Sequence, residues 1–434
     1  MSPMARRTHA PASWHLILVA AAAAVVVAAC APAAPPGPAT AQPPTGGQLQ
    51  APTAKPAGSP TATIKVGAVV PITGRYASGG EQIRNGYELA LDDINAAGGV
   101  MVRDFGQKIP LELRLLDDES DATRTVQRME ALFSGEQVVA YLGGFGSDLH
   151  AAAAAVAEKN RTPYIGVAFA LYQVHQRGLK YLFSPFPKSP SLATMTFDVM
   201  DSLSPRPANV AIFAEKTDWG AELRDLWRKE AETRGYQIVA DEEYAPGARD
   251  FTPMLLKAKG GGAEAVLALP NPPDGMAIVK QMKELDLNPK FLLFIRAPDG
   301  IAWSQNLGKD GDYVLLSPGW SQDLKFPGVE ELKQRHLARY NKPAEATTGA
   351  AYAAVQVLAN AIERAGKLDR DAIRDALAAT DMMTVMGPVK FNPDGTGQVQ
   401  TIANQVQDGK QVLVWPKDQA SAPVAYPARP FRER

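Results

Sequence analysis

The chain has 434 residues, of which 46% are hydrophobic and 21% are charged. This length suits two or three domains, and the composition is typical of a soluble globular protein with a sizeable core. The formal net charge of −1 gives no reason to expect a nucleic acid or an anionic membrane surface as a partner. The histidines are scattered and the only cysteine is Cys30, so the sequence predicts no metal site and no intramolecular disulfide.

The amino-terminal segment is typical of an export signal. Arg6 and Arg7 give it a positive start, and Leu16 to Ala29 is an apolar run too short to span a bilayer comfortably. The sequence VAAC that ends at Cys30 resembles the bacterial lipobox, in which the cysteine is lipidated and becomes the first residue of the mature protein. We therefore predict a lipoprotein signal peptide over 1–30 and an extracytoplasmic location, anchored to the membrane by a lipid on Cys30. An ordinary signal peptide with a chance cysteine is the alternative.

Residues 31–60 are mostly Pro, Ala, Gly, Thr and Gln, with Lys55 as the only charge. Such a segment has too little apolar surface to order itself, so we predict a disordered, semi-extended linker. A single acyl chain binds a membrane only marginally, but a lipoprotein cysteine normally carries more than one chain. The linker then lets a folded body reach along the membrane surface.

The folded body is predicted to open with a strand, a polar loop and a helix between Ile64 and Gly99. Ile64–Val70 is a short apolar run rich in β-branched residues, which indicates a buried strand. The segment from Pro71 to Gly80 contains Pro, Gly, Thr and Ser, which is typical of a loop. Apolar residues then recur at helical spacing as far as Ile94, and two glycines end the helix. Small ligands bind at such loops in open α/β sheets.

Strands and helices then alternate over two stretches, separated by a break at Ser184-Pro185-Phe186-Pro187. This alternation is typical of parallel sheets with helices on both faces, one sheet for each stretch. In order, we predict strand Leu111–Asp117, helix Asp121–Phe133, strand Val138–Leu142, helix Asp148–Lys159, strand Pro163–Val167, strand Asn209–Ala214, helix Trp219–Arg234, strand Gln237–Glu243, helix Asp250–Lys259, strand Ala265–Leu269, helix Asp274–Leu285, strand Lys290–Ile295 and strand Tyr313–Ser317.

The last hundred residues do not follow this rhythm. We predict helices at Val329–Tyr340, Thr348–Ala365 and Arg370–Ala379 and strands at Val389–Phe391, Thr401–Val406 and Gln411–Trp415. The turns Asn392–Gly395 and Asp408-Gly409 would join these strands into hairpins. These elements do not form a third α/β core, so they are expected to complete the two lobes, with more than one crossing between them. The tail from Gln419 is predicted to be unstructured.

Four stretches in order resemble the branched-chain amino-acid (Leu/Ile/Val) binding proteins. They are Ile64–Gly99, Tyr141–Ser147, Ile212–Gly220 and Gly387–Gly395. The resemblance implies an α/β type I periplasmic binding protein, with two doubly wound parallel-sheet lobes joined by a three-strand hinge. It divides the chain into lobe I (61–186 plus 318–380), lobe II (187–317 plus 381–418) and a disordered tail (419–434).

The resemblance also implies a function. The family members are substrate-binding components of bacterial ABC importers, which close on a small solute and are recognised in that form by the membrane subunits. A monomer is expected. No nucleophile motif supports an enzyme. The loop Gly144-Phe145-Gly146 is not a nucleotide fingerprint, because its third glycine would fall at Leu149, so no cofactor is expected. A lipid-anchored sensor that uses the same cleft is the alternative.

Four residues match ligand-binding positions or lie where a cleft is expected. Ser147 falls on the family's carboxylate-binding serine, at the start of a helix whose free amides favour an anion. An N-cap role without ligand contact is the alternative for it. Trp219 falls on an aromatic residue that covers the ligand from lobe II, although a core position is also compatible with the sequence. Tyr76 in the first loop has a similar but weaker case, and Trp320 is expected near a crossover, at the edge of the cleft.

Three departures from the family pattern concern specificity. The family's second hydroxyl falls at Ala170, although Ala168 and Phe169 still offer backbone groups. An aromatic residue of lobe II falls at Asn271. The acid that receives an amino acid's ammonium group falls near Arg296, where the sequence has no acid. Since an unpaired buried ammonium is costly, we expect a ligand other than a plain L-amino acid. The sharper hypothesis is a carboxylate paired by Arg296 against Trp219, and the alternative is that Arg296 points to solvent.

Overall fold

The computed structural model describes residues 63–434. The predicted signal peptide, the lipidation at Cys30 and the linker lie outside these residues. Within them, none of the helices has the length and apolarity that a membrane crossing requires.

The described residues form an α/β structure that alternates strands and helices over most of its length. The strands are β1 Ile64–Val70, β2 Val100–Val102, β3 Gln107–Ile109, β4 Leu111–Asp117, β5 Tyr141–Leu142, β6 Tyr164–Ile165, β7 Leu182–Phe183, β8 Asn209–Glu215, β9 Gln237–Tyr244, β10 Ala265–Ala268, β11 Phe291–Phe294, β12 Val314–Leu316, β13 Asp381–Thr384, β14 Gly387–Lys390, β15 Ala403–Gln407 and β16 Lys410–Trp415. The α-helices are α1 Ala77–Ala96, α2 Ala122–Ala131, α3 Ser147–Lys159, α4 Ser189–Asp201, α5 Asp218–Thr233, α6 Thr252–Gly260, α7 Pro272–Glu284, α8 Ala302–Leu307, α9 Val329–Tyr340, α10 Thr348–Ala365 and α11 Arg370–Ala378.

Two separate sheets form the centres of two lobes. The sheet of lobe I has the order β4-β1-β5-β6-β7, and its neighbouring strands are all parallel. The sheet of lobe II has the order β9-β8-β10-β11-β12-β15-β16, and its first five strands are parallel. The pair β15–β16 closes its edge in antiparallel fashion. The parallel part of each sheet therefore has the same doubly wound order, which confirms the predicted fold class.

The central strands form where the sequence is apolar on both faces. All residues of β1 except Lys65 are buried, and the strand pairs with β4 from Ile64 opposite Leu111 to Val70 opposite Asp117. Continuous apolar strands of this kind are typical of parallel sheets that are covered by helices on both sides. Lobe I is covered in part by α10, whose buried residues belong to the same hydrophobic cluster as those of α1. The helices that were predicted at Val329–Tyr340 and Thr348–Ala365 have these same bounds.

Three segments carry the chain between the lobes, after β7, after β12 and after β14. The first and third are hydrogen bonded, because the amide of Ser184 donates to the carbonyl of Gly395 over 2.9 Å. The amide of Gly397 returns a bond of 2.8 Å to the carbonyl of Ser184. The second and third meet where the hydroxyl of Ser317 donates to the carbonyl of Ile402 over 2.9 Å. The crossing segments therefore form one bonded hinge.

The third crossing falls later than the sequence predicted. The predicted boundary places residues 381–418 in lobe II, whereas the hairpin β13–β14 packs on lobe I. Its turn residue Val385 accepts a hydrogen bond from the indole of Trp320 and donates one to the side chain of Gln356 in α10. The predicted hairpin through the turn at Asn392–Gly395 is therefore wrong, because β14 pairs with the preceding strand β13 and not with β15. The second predicted hairpin, through Asp408-Gly409, is present.

The carboxyl-terminal tail is ordered, which corrects the prediction that it is unstructured. Its proline content prevents regular strands, but its backbone finds partners on lobe II. The amide of Ala428 donates to the carbonyl of Lys290, and Phe431 is buried. The guanidinium of Arg434 donates to the carbonyls of Asp310 and Asp312 over 2.9 and 3.1 Å. Composition alone did not reveal these long-range contacts.

Candidate functional site

The topology brings the carboxyl ends of both sheets to one cleft. In lobe I the strand order reverses between β1 and β5, and in lobe II it reverses between β8 and β10. The loops after such strands diverge and leave a crevice, which is where ligands bind in doubly wound folds. The loop after β1 leads to Tyr76, the loop after β5 leads to Ser147, and the loop after β8 leads to Trp219. Arg296 follows the end of β11.

A small chamber with a volume of about 30 Å³ lies between the lobes, next to the hinge. Both lobes and two of the crossing segments supply its walls. Its lining residues are Phe145, Gly146, Ser147, Ala168, Phe169, Ala170, Phe186, Leu192, Trp219, Ile295, Arg296, Asp299, Ser317, Pro318, Gly319 and Thr347. A second space, which we call the mouth, is lined by Tyr76, Ser147, Asp148, Leu171, Glu215, Thr217, Asp218, Trp219 and Arg296. Ser147, Trp219 and Arg296 line both spaces, so the predicted residues of the two lobes share one cleft.

Ser147 is the first residue of α3 and lies at the lobe I end of the chamber. The residue before it, Gly146, has φ of 102° and packs against Tyr76, so that a Cβ there would lie 2.7 Å from the Tyr76 ring. Only glycine fits that backbone and that contact. The hydroxyl of Ser147 accepts from the amide of Leu171 over 3.4 Å, which leaves its own hydrogen available for an acceptor in the chamber.

The backbone at 168–170 presents amide groups rather than carbonyls. The carbonyl of Ala168 accepts from the amide of Gly146, and the carbonyl of Phe169 accepts from the ammonium nitrogen of Lys188 over 2.8 Å. The carbonyl of Ala170 accepts from both the amide and the hydroxyl of Ser189, each over 2.9 Å. The amides of Phe169 and Ala170 donate to no group of residues 63–434. With the free amides of the first turn of α3, this wall is suited to oxygen atoms that bear negative charge.

Arg296 lies in the cleft and not in solvent. Its guanidinium carbon is 4.9 Å from the ring centroid of Trp219 and 5.5 Å from that of Tyr76, so the cation lies against an aromatic residue of each lobe. Its Nη2 donates to the carboxylate of Glu215 over 2.7 Å in a pair that is almost wholly buried. Burial opposes the positive charge, but Glu215, Tyr76, Tyr244 and Asp148 together outweigh it and raise the pKa of Arg296. Its Nε has no partner within the described chain.

Asp299 supplies an acid that the sequence reasoning did not find. It ends a short 3₁₀ turn, Ala297–Asp299, three residues after Arg296, and it lines the chamber. Its side chain is buried, and its Oδ1 has no hydrogen-bond partner within residues 63–434. Burial raises the pKa of this carboxyl well above its usual range, although the charge of Arg296 acts in the opposite direction. The expectation that no acid lies near Arg296 is therefore corrected.

The two aromatic residues differ in what fixes them. Trp219 is the second residue of α5, whose amino end is capped by the hydroxyl of Thr217, and its indole donates to the hydroxyl of Ser189 over 3.2 Å. Ser189 in turn contacts the carbonyl of Ala170, so the indole is connected to the opposite wall. Tyr76 lies in the mouth and donates to Asp148 over 3.2 Å. Burial raises the pKa of Tyr76 to about 12, so its hydroxyl stays protonated.

Two predicted site residues line neither the chamber nor the mouth. Asn271 caps α7 by accepting from the amide of Asp274, and its side-chain amide donates to Asp274 and Glu215. It therefore supports Glu215 from outside the cleft wall. Trp320 is fully buried at the second crossing and packs against Gly349 of α10. It borders a neighbouring cavity of about 250 Å³.

Sequence reasoning missed several polar residues of the cleft, and three of them differ in the signal that they gave. Glu215 is the last residue of β8 and belongs to a stretch that carried the family resemblance, so its place at a strand end was a usable signal. Asp299 follows the strand Phe291–Phe294 by a short turn, which is a weaker signal. Thr347 precedes α10 and gives no local signal, because only the tertiary fold brings it to the chamber. Within residues 63–434, no group of three metal-binding side chains is found.

Comparison with known proteins gives relatives over nearly the whole described chain. The Leu/Ile/Val-binding protein homolog 8 of Brucella abortus is 26% identical over 386 residues, which cover 84% of this chain and 93% of the relative. The branched-chain amino acid transporter substrate binding protein LivJ of Streptococcus pneumoniae, solved with isoleucine, aligns with a TM-score of 0.73 and 23% identity. That alignment covers 80% of this chain and 97% of LivJ.

A second solved structure has a different bound molecule. A solute binding protein of an ABC transporter from R. palustris, in complex with benzoate, aligns with a TM-score of 0.72 and 20% identity, covering 85% of this chain and 97% of that protein. At these identities the structural likeness shows the shared fold. The model of the family described as periplasmic binding protein matches residues 63–411, which is most of the chain. The chain therefore belongs to the periplasmic binding protein family.

Proposed function

We propose that this protein captures a small carboxylate-bearing solute between its two lobes and delivers it to an ABC importer. The observation that carries the proposal is the chamber itself, which is enclosed by both lobes at the switch points of their sheets. Membership of the family supports an extracytoplasmic location. The lipid anchor on Cys30 remains part of the proposal, since it rests on the lipobox-like sequence alone.

The carboxylate end of the solute is assigned to the wall of lobe I. Ser147 has a hydroxyl hydrogen to donate, and the amides of Phe169 and Ala170 are free. The amino end of α3 adds a partial positive charge, which favours an anion. This arrangement supplies several donors without an ionised side chain, so it suits the carboxylate of many different solutes.

The other end of the solute is assigned to Trp219, Arg296 and Asp299. Arg296 already pairs with Glu215 through Nη2, so a ligand carboxylate would have to meet its other nitrogens, of which the buried Nε has no partner among residues 63–434. Asp299 removes the reason for excluding an ammonium group, because its Oδ1 is an unused acceptor on the same chamber wall. A buried ammonium is tolerated where a carboxylate receives it, so binding of such a solute would require Asp299 to release the proton that burial otherwise favours. The solute is therefore an amino acid-like compound or another carboxylate, and these two classes differ in the charge of the end that meets lobe II.

A thermal-shift titration of the full chain tests this proposal. The probes are isoleucine, its deaminated analogue 3-methylpentanoate, and benzoate, which differ in the ammonium group and in the apolar part. At a concentration of about 100 times Kd, a bound probe stabilises the folded form by ~2.7 kcal/mol, which raises the melting temperature by several degrees. The difference in tryptophan fluorescence between wild type and Trp219→Phe reports contact at the chamber. No shift and no fluorescence change across this panel and a wider one of carboxylates would contradict the proposal.

A further inference from the structure

A glutamate of lobe II contacts the backbone of lobe I outside the chamber. Glu222 lies in α5, and its two carboxylate oxygens accept from the amides of Tyr172 and Gln173, each over 2.8 Å. Those amides belong to the start of the 3₁₀ helix Tyr172–Arg177, between β6 and β7 of lobe I. Both bonds are charge-assisted, and together they use both oxygens of the carboxylate.

A glutamate of lobe I makes the reciprocal contact. Glu345 precedes α10, and its Oε1 accepts from the amide of Ile301 in lobe II over 2.8 Å. Its other oxygen lies 3.0 Å from the ammonium nitrogen of Lys342, which fixes the orientation of the carboxylate. Next to this contact, the side-chain amide of Gln82 in α1 approaches the carbonyl of Asp299 at 3.5 Å. Each lobe thus supplies one carboxylate that accepts hydrogen bonds from backbone amides of the other lobe.

Neither glutamate lines the chamber, yet both bonds require the lobes to be together. A hinge motion that separates the lobes must break them, while bonds inside one lobe are unaffected. We propose that Glu222 and Glu345 form a double latch that stabilises the closed form, so that they determine the affinity for the solute without contacting it. The inference rests on the proposed capture between two lobes. A ligand that binds only the closed form loses apparent affinity in proportion to the population of that form.

The variants Glu222→Gln and Glu345→Gln test the latch. In Glu222→Gln the side chain keeps one acceptor oxygen but directs an NH₂ group at the second amide, so that two donors face each other. Glu158→Gln is the matched control, because Glu158 of α3 accepts from the amides of Lys180 and Tyr181 over 2.8 and 3.0 Å entirely within lobe I. Both amides donate to Oε2 of Glu158, so the control removes the negative charge from such a contact without affecting the interface between the lobes.

The first measurement is amide hydrogen exchange of the full chain without added solute, so that it does not depend on which solute binds. In Glu222→Gln we expect the amides of Tyr172 and Gln173 to exchange about tenfold faster, and in Glu345→Gln we expect the same for Ile301. The double variant should also have a larger radius of gyration in small-angle scattering. Glu158→Gln should accelerate only the amides of Lys180 and Tyr181. Equal exchange at Tyr172, Gln173 and Ile301 in wild type and the latch variants would overturn the proposal.

The second measurement is the affinity for whichever of isoleucine, 3-methylpentanoate or benzoate shifts the melting temperature of wild type. Each latch variant should bind it about tenfold more weakly, mainly through faster dissociation, while Glu158→Gln binds it as wild type does. If the latch variants exchange these amides faster but bind the solute with unchanged affinity, the latch does not determine affinity and that part of the proposal is overturned. Absence of binding by wild type would count against the proposed function, and the exchange and scattering results would still decide whether the latch exists.

Discussion

The two walls of the chamber differ in how they offer charge. The wall of lobe I is built from uncharged groups, with the hydroxyl of Ser147 and the free amides of Phe169 and Ala170. The wall of lobe II holds two buried ionisable groups, the cation of Arg296 and the carboxyl of Asp299. Backbone donors recognise any carboxylate, whereas buried side chains respond to the charge of the group that meets them. The difference indicates that lobe I binds what the solutes have in common and lobe II selects among them.

The largest expected effect concerns the charge pair of the lobe II wall. Arg296→Met leaves the carboxylate of Glu215 buried and unpaired, so we expect a loss of ~3–5 kcal/mol in the free energy of unfolding, measured by urea denaturation. The double variant Arg296→Met/Glu215→Leu should recover most of this loss. Arg224→Met is the control, because the pair Arg224–Asp241 is partly exposed and its loss should cost less than ~1 kcal/mol. Equal losses in the two single variants would contradict the assignment of a buried pair.

The next effect concerns the lobe I wall. Ser147→Phe removes the donor and places a ring in a chamber of only about 30 Å³, so we expect affinity for every solute that wild type binds to fall by ~100-fold or more, measured by calorimetry. Ser191→Phe, at an exposed position in the first turn of α4, should bind as wild type does. Undiminished binding by Ser147→Phe would remove Ser147 from the site and end the comparison between the walls.

Two histidines behind the lobe I wall are also expected to be uncharged. His150 and His175 each stack on Phe169, and burial lowers the pKa of each to about 3. Since an unfolded histidine binds its proton near pH 6.5, the unfolded state holds more protons below that pH, and stability falls as pH decreases. Each histidine should account for ~2 kcal/mol of the unfolding free energy lost between pH 7 and pH 5.

His175→Asn tests this pH dependence in urea denaturation at both values. Asparagine retains a donor for the carbonyl of Asp394, which accepts from the ring of His175 over 2.9 Å, but it does not titrate. The variant should therefore show a shallower loss of stability on acidification than wild type. An unchanged slope between pH 7 and pH 5 would show that His175 is already protonated in the folded protein.

The smallest expected effect tests whether Asp299 gives lobe II its selectivity for the charge of the solute. Asp299→Asn should lower the affinity for isoleucine by about tenfold if the ammonium group of the solute contacts this carboxyl group. The affinity for 3-methylpentanoate should not change. A second readout needs no solute. Because the buried carboxyl keeps its proton, wild type loses stability as pH rises above the unfolded pKa of ~4, and the variant should lose less. Equal effects on both solutes would assign Asp299 a structural role and leave the selectivity to Trp219 and Arg296.

Local patterns predicted most of the elements, and they failed where long-range contacts decide. The strand over Ile64–Val70 and the helices over Val329–Tyr340 and Thr348–Ala365 agree with the structure, because their burial pattern appears in the sequence itself. Helix α4, at Ser189–Asp201, was not predicted, since the prolines just before it suggested only a break. The strand Asp381–Thr384 was also missed, and the hairpin it forms changed the lobe assignment of that segment.

For the site, the sequence by itself determined which strand ends carry the functional loops and that Ser147 and Trp219 follow two of them. Position after a parallel strand fixes on which edge of the sheet a residue lies, and that edge faces the cleft. Only the tertiary structure decided that Arg296 is paired with Glu215, that Asp299 faces the chamber, and that Asn271 and Trp320 do not. Those outcomes depend on contacts between residues that are distant in sequence, such as the 81 positions that separate Glu215 from Arg296, and no local pattern encodes which buried charges will meet.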